Sequence, residues 1–274
     1  MREEAIKRFL LVTGVIWLLI FSLIPFLWMV IISFSSSPDF LVRGEGSFTL
    51  KNYIDIITIK TLHFPDYLKN SGIIAGLSAL FATIIGAFAG YAVSRFRFRG
   101  RLPLIMCVLG LSMFPQISMV GYLYRMMSML GWINTYPALI LPYTAWGLPL
   151  ALWMLLSYFS QIPQEIDRAA LVDGASRLQI LRKIILPLAL PGLVSTYLLL
   201  FIFSFNEFLF ALMLTTDHHA RTVPVGIALF QGLHGELPWG YIMAASTISS
   251  LPVVLIVLFF QRYIIQGLTG GAVK

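Results

Sequence analysis

The chain has 274 residues, of which 58% are hydrophobic and only 11% charged, with a mean hydropathy of +0.86. That balance excludes a water-soluble globular domain. The formal charge of +7 does not indicate nucleic acid, because Lys and Arg sit in short clusters between apolar segments and so act as topology signals. A single cysteine, Cys107, leaves no disulfide or cysteine zinc site to be built within the chain.

Arg2, Lys7 and Arg8 precede an apolar run from Phe9 to Ser33. The run is longer than a signal-peptide core and has no small-residue cleavage site behind it, so it is expected to be a retained first span. Five more segments follow at 71–93, 103–124, 137–158, 188–212 and 240–261. Each approaches the roughly 20 residues that a helix needs to cross a bilayer. Backbone groups in lipid must be satisfied internally, and alternating ten-residue segments are missing, so an all-α integral membrane protein with six transmembrane helices is expected rather than a barrel. The chain is read as one transmembrane domain, 1–274. Trp28, Trp132, Tyr136, Trp239 and Tyr241 fall near the segment ends, where interfacial aromatics concentrate. Pro115, Pro142 and Pro149 predict kinks.

With six spans both termini lie on one side. A cytoplasmic N-terminus places thirteen of the 19 Lys and Arg inside, in the segments before the first span, at 94–102, at 159–187 and at the C-terminus. The remaining six are mostly diluted in a long first external loop that also carries Asp39, Glu45, Asp55 and Asp66. A multi-pass protein with both termini cytoplasmic follows.

The 159–187 loop differs from its surroundings in being polar yet helical in pattern. Pro163, Gln164 and Glu165 form a helix start with acid in the first turn, and Ile166, Ala169 and Ala170 share a face at i, i+3, i+4 spacing. That face is small and suited to docking a soluble partner, an ordinary interfacial connector being the other reading. Asp173-Gly174 ends the helix, Ser176 with Gln179 reads as a capping box, and Leu186-Pro187 leads into the fifth span. Inside the membrane, Asn206 and Glu207 are expected to point inward, as lining of a pathway or as a hydrogen-bonded structural pair. Gln116 carries the same two readings. Tyr122, Tyr143 and Trp146 carry aromatic rings that the apolar face of a transported solute would meet. His63, His218, His219 and His234 lie in proposed external loops without helical metal-pair spacing, and no metal site is expected. No GxxxxGK[ST] loop is present, so this chain is not expected to hydrolyse ATP.

Ala169-Ala170, Asp173-Gly174, then nine residues to Ile184-x-Leu186-Pro187 resemble the EAA loop of permease subunits of binding-protein-dependent ABC importers. Asn70-Ser71, YAVSRFRFRG from Tyr91, MFPQIS from Met113, LGWINTYPALILPYTAWGLPLALW from Leu130, FNEFLFAL from Phe205 and QRYIIQGLTGGAVK from Gln261 resemble the maltose and trehalose type within that family, in the same order over nearly the whole chain. The resemblance implies a type I ABC importer permease fold in a bacterial or archaeal inner membrane, importing a di- or oligosaccharide such as trehalose or maltose. It implies as partners a second homologous permease, two ATPase subunits and an extracytoplasmic sugar-binding protein. No cofactor is then held by this chain, ATP and Mg belonging to the ATPase. The ATPase-coupling residues would be Glu165, Asp167, Arg168, Ala169, Ala170, Asp173, Gly174, Ile184, Leu186 and Pro187. The motif's leading Glu is Arg168 here, so either Asp167 or Glu165 replaces it or the contact relies on shape. The tail from Gly267 would reach the ATPase, and 213–239 would insert toward the binding protein. A proton-driven carrier, with Glu207 as the titrating group, is the alternative from another class.

Overall fold

The structure is a computed structural model; it describes residues 2–36, 48–230 and 238–269. Asp39, Arg43, Glu45, His234 and the tail residues 270–274 lie outside these. Every extended element among the described residues is helical, save one antiparallel bridge between Ser35 and Phe48.

The chain divides into two compact units, Met1–Phe64 with Ile227–Leu251, and Pro65–Gly226 with Pro252–Lys274. The first unit contains α1 (Arg2–Ser33), α2 (Lys51–Thr58), a 3-10 turn at Lys60–Leu62 and the start of the last helix, α13 (Trp239–Thr269). The apolar side chains of α1, Phe9, Trp17 and Phe21 among them, are uncovered by this chain, as expected of a helix that faces lipid or another protein. Its end is fastened by polar groups. Asn52 donates to the carbonyls of Ser33 and Ser35 at 2.9 and 2.8 Å, and Tyr241 donates to Asp55 at 2.7 Å.

The second unit holds the core. It comprises α3 (Phe64–Arg95), α4 (Arg101–Leu111), α5 (Gln116–Met129), α6 (Tyr136–Gln161), α7 (Gln164–Val172) and α8 (Arg177–Ile180). A π turn at Leu181–Ile185 then leads through α9 (Leu186–Leu188) into α10 (Leu190–Phe205), followed by α11 (Leu209–Leu214) and α12 (Val223–Ala228). Small residues repeat along α3 at Ala75, Ala79, Ala82, Gly86 and Gly90, the spacing that lets helix backbones approach closely in lipid. A Cβ on Gly86 would meet that of Ala151 at 2.7 Å, and one on Gly90 would stand 3.2 Å from the Leu156 nitrogen. The α3–α6 seam is therefore set by backbone contact. α10 closes over it, with Leu200, Phe201 and Phe205 packed among the same alanines.

Two expected spans are not continuous rods. Among the described residues four helices are long and apolar enough to cross a bilayer, and two bent pairs bring the total to six if each counts as one span. The 103–124 segment breaks at Ser112–Pro115, where α4 and α5 meet at 88°. Pro115 has no N–H to continue the first helix and its extended conformation, ψ 128°, starts the second. The 188–212 segment bends by 77° at Ala189, beside Pro187 and Pro191, and its helix stops at Phe205 rather than running through Asn206 and Glu207. The expected kinks at Pro142 and Pro149, by contrast, lie inside an unbroken α6.

The close seam yields a stability prediction. Gly86→Val places side-chain atoms where the α6 backbone already is and should cost about 1–3 kcal/mol, read as a lowered melting midpoint of the detergent-purified protein. Gly72→Val, where nothing lies within 4 Å of an added Cβ, should leave the midpoint nearly unchanged.

Candidate functional site

α7 is a nine-residue helix set between two backbone discontinuities. Pro163, extended at ψ 135°, precedes it. Behind it Gly174 takes φ +81°, with its N–H to the Leu171 carbonyl at 3.1 Å and the Ala175 N–H to the Ala170 carbonyl at 3.0 Å. These two bonds form a Schellman cap, which needs a left-handed residue at Gly174. The expected capping box follows: Ser176 N–H donates to Gln179 Oε1 at 2.7 Å while Gln179 N–H donates to Ser176 Oγ at 3.4 Å. Sequence spacing thus gave both ends of the unit correctly.

The exposed face of α7 differs from the one that spacing alone groups. Only Asp167 and Ala170 of α7 are buried. Ala170 joins a cluster with Ala87, Tyr91, Leu155, Phe159 and Ile180, so it packs on this chain's own core and is not part of the outward surface with Ala169. Asp167 is likewise not an outward acid. Its carboxylate lies 3.1 Å from Arg95 Nε, both side chains being under 5% exposed (3% and 4%), and accepts the Tyr91 hydroxyl at 3.3 Å. Arg95 also donates to the Ile162 carbonyl at 2.9 Å. A charge buried without a partner costs several kcal/mol, so the inward turn of Asp167 depends on Arg95. The residues left outward are Glu165, Arg168, Ala169, Val172, Asp173 and Gly174. Ile184 and Leu186 are partly buried and flank the core cluster, and Pro187 is exposed.

The six pathway candidates scatter. Trp146 lines an apolar cavity of about 290 Å³ with Leu111, Phe114, Met119, Ala145 and Pro149, at the α4–α5 break. Gln116 and Tyr122 are outside that lining: Gln116 is half-buried and Tyr122 is 71% exposed. Tyr143 is a core residue, against Ile74, Leu139 and Phe210, with its ring near that of Phe210. Asn206, expected to point inward, is exposed and donates to its own preceding turn at Ile202. Glu207 does turn inward, at 7% exposed. Its two oxygens accept the N–H groups of Phe210 and Ala211 at 2.8 and 3.2 Å, so the carboxylate caps the start of α11.

A polar network that the sequence did not reveal anchors the loop after α11. Asn134, at φ +63°, accepts the N–H groups of Thr216 and Asp217 at 3.1 and 3.3 Å and donates to Asp217 Oδ1 at 2.7 Å. Asn70 donates to the carbonyls of His218 and Arg221 at 2.9 and 3.0 Å and accepts the Tyr136 hydroxyl at 2.6 Å. Ser71 Oγ accepts the Val223 N–H at 2.8 Å. Asn70-Ser71 and Asn134 had counted only as resemblance; the available signal was that they are polar residues at the ends of apolar segments, which must satisfy something. Asp217, His218 and His219 do bring ligand atoms within 4.8 Å of one another, despite lacking helical spacing, but Asp217 Oδ1 is already shared by Asn134 and by the backbone and ring of His219. The His219 N–H first, then the Asn134 amide and the His219 ring, hold the Asp217 carboxyl well below its ordinary value of 3.8.

Against this geometry stand the comparisons. A family model described as binding-protein-dependent transport system inner membrane component matches residues 82–270. The chain is 59% identical over 276 residues to the trehalose/maltose transport system permease protein MalG of Thermococcus litoralis, covering 100% of this chain and 99% of that one. It is 41% identical over 259 residues to the trehalose transport system permease protein SugB of Mycobacterium tuberculosis, covering 93% of each. Among solved structures, a chain of a bacterial ABC transporter involved in the import of the acidic polysaccharide alginate superposes with a TM-score of 0.79 at 20% identity, over 96% of this chain and 98% of that one. A chain of the MetNI methionine ABC transporter gives 0.60 at 19% identity, over 77% and 98%. The fold is that of the ABC importer permeases.

Two predictions test the site. Gly174→Val should cost about 1–2 kcal/mol, the penalty of a left-handed conformation for a residue with a Cβ, whereas Gly174→Asn should be tolerated better; thermal unfolding of the purified protein separates them. For Asp217, a depressed carboxyl contributes stability that is present above its ordinary value and lost only as pH falls well below it. Protection of the 215–223 amides from hydrogen exchange should therefore persist to about pH 4, and Asp217→Asn should weaken it at neutral pH.

Proposed function

This chain belongs to the binding-protein-dependent transport system inner membrane components, and on that premise we propose that it is a permease subunit importing trehalose or maltose across the cytoplasmic membrane. The observation that carries the solute class is the 59% identity, along both whole chains, with a trehalose/maltose permease protein.

In this reading both termini, the 94–102 turn and α7 face the cytoplasm, as the distribution of Lys and Arg favours. A separate ATPase, holding ATP and Mg, receives α7 in a surface cleft. The contact rests on the outward residues of α7, with Glu165 the acidic group of the first turn and Arg168 reversing the charge that the motif carries there. Small Ala169 and the open Gly174 turn let the partner approach the backbone, while bulky Val172, 88% exposed, supplies apolar area to bury. A second homologous permease completes the pathway, and an extracytoplasmic binding protein delivers the sugar to the face that carries the 215–223 loop. Glu207 serves in this scheme as a helix cap rather than as a proton carrier, in keeping with the two backbone N–H groups it accepts.

The test is ATP hydrolysis by the reconstituted complex across a panel of sugar-loaded binding protein. Trehalose or maltose should raise the rate about tenfold or more, within the range that coupled binding sites span. Stimulation by glycerol phosphate esters, with none by either disaccharide, would overturn the assignment of solute class.

A further inference from the structure

We propose that α3 is a rigid rod joining the ATPase-facing helix α7 at one membrane face to the 215–223 loop at the other, so that events at the two ends are energetically coupled through it. The proposal rests on the permease reading above for what binds at each end.

The inner end is the Arg95–Asp167 pair. α7 is bounded by an extended Pro163 and a left-handed Gly174, and it buries only Asp167 and Ala170. A nine-residue helix is too short to hold a place by itself, so a push on its outward face passes into the scaffold through those two side chains. Asp167 meets two groups of the α3 terminus, the Arg95 guanidinium and the Tyr91 hydroxyl. Arg95, the last residue of α3, also holds the Ile162 carbonyl just before α7 begins. A displacement of α7 that left α3 behind would strand a buried charge.

The outer end is Asn70 and Ser71, at 3% and 1% exposure. Between them they hold the carbonyls of His218 and Arg221 and the N–H of Val223. Three backbone groups of the loop are thus fastened to two consecutive residues of α3.

Between the ends the helix has reason to stay straight. α1, α6 and α13 contain internal prolines at Pro25, at Pro142 and Pro149, and at Pro252, and the other two apolar segments are broken outright. α3 has none after Pro65 in its first turn. From Asn70 to Arg95 it spans about 38 Å at the usual helical rise. Its seam with α6 leaves no room for independent bending at Gly86 and Gly90. Reciprocity then requires that what the outer loop binds alters the energetics at α7 as much as the reverse.

Asp167 and Arg95 act here as positioning residues. The test is a double-mutant cycle in the reconstituted complex with Asp167→Asn and Asn70→Ala. The readout is the ratio of ATP hydrolysis with sugar-loaded binding protein to hydrolysis without it, which a uniform loss of folded complex does not change. Each single variant should lower the ratio about threefold, leaving part of the stimulation measurable, and the double variant should fall no further than the worse single. Multiplying effects, or singles with the wild-type ratio, would overturn the rod. Should Asp167→Asn fail to assemble, Arg95→Lys takes its place, since it keeps the charge and loses the planar reach to both Asp167 and Ile162. Independently, spin labels at Phe88 on α3 and at Gln164, the first residue of α7, with Cys107→Ser, should keep a single mutual distance with and without nucleotide. Two nucleotide-dependent distances would overturn the rod at its inner end. The label experiment does not depend on the solute, so a complex that imported neither trehalose nor maltose would remove the proposed function while leaving this test valid.

Discussion

In a chain this apolar, each break in a helix leaves backbone donors and acceptors that lipid cannot satisfy, and the structure is organised by how those groups are met. At the Asn206–Phe208 break, Glu207 supplies both carboxylate oxygens to the N–H groups of Phe210 and Ala211 and the Asn206 amide returns to the Ile202 carbonyl. Near the end of α4, the Ser112 hydroxyl bonds the Leu109 carbonyl at 2.6 Å. At α7 the Schellman cap and the capping box meet across a two-residue turn. At these bends the cost of placing polar side chains is offset by the backbone groups they satisfy.

The same economy explains why long-range polar contacts are few and how they are distributed. Within the second unit, Arg95 with Ile162, Asp167 with Tyr91, and Asn70, Ser71 and Asn134 with the 215–223 loop, tie together segments between 67 and 152 residues apart in sequence. They lie at the ends of helices, whereas the middles of α3 and α6 are filled mainly by alanine, glycine and large apolar side chains, with Ser78 and Thr144 making long contacts of 3.4 Å to the Ile140 and Ser78 carbonyls. Alanine and glycine in the seam provide close packing without direction; the polar ends fix register.

Long apolar runs and the helix–glycine–helix unit were legible in the sequence because their causes are local: hydropathy over a window, the left-handed preference of Gly174, and the reciprocal Ser176 and Gln179 bonds. The inward face of α7 was not. Spacing alone grouped Ile166, Ala169 and Ala170, yet Asp167 and Ala170 turn inward, because the decisive partner, Arg95, lies far away in the sequence and converts an acid into a core residue. The break at Ser112–Pro115 was announced by Pro115, but a proline inside an apolar run is compatible both with an intact α6 and with an 88° turn. What separates the two outcomes is packing. Pro142 and Pro149 are buried in α6, whereas Pro115 is exposed at a turn.

Burial of Asp167 also bears on the reversed charge at position 168. A carboxylate already engaged by Arg95 and Tyr91 has little capacity left for a partner subunit, so the sign of the outward surface is set by Glu165, Arg168 and Asp173. Around that small mixed-charge surface the features that hold α7 in place, the two backbone discontinuities, Ala170 and the ion pair, are internal to the chain. In the proposed reading, such a division leaves the connection of α7 into the membrane independent of the detailed chemistry of its outward contact.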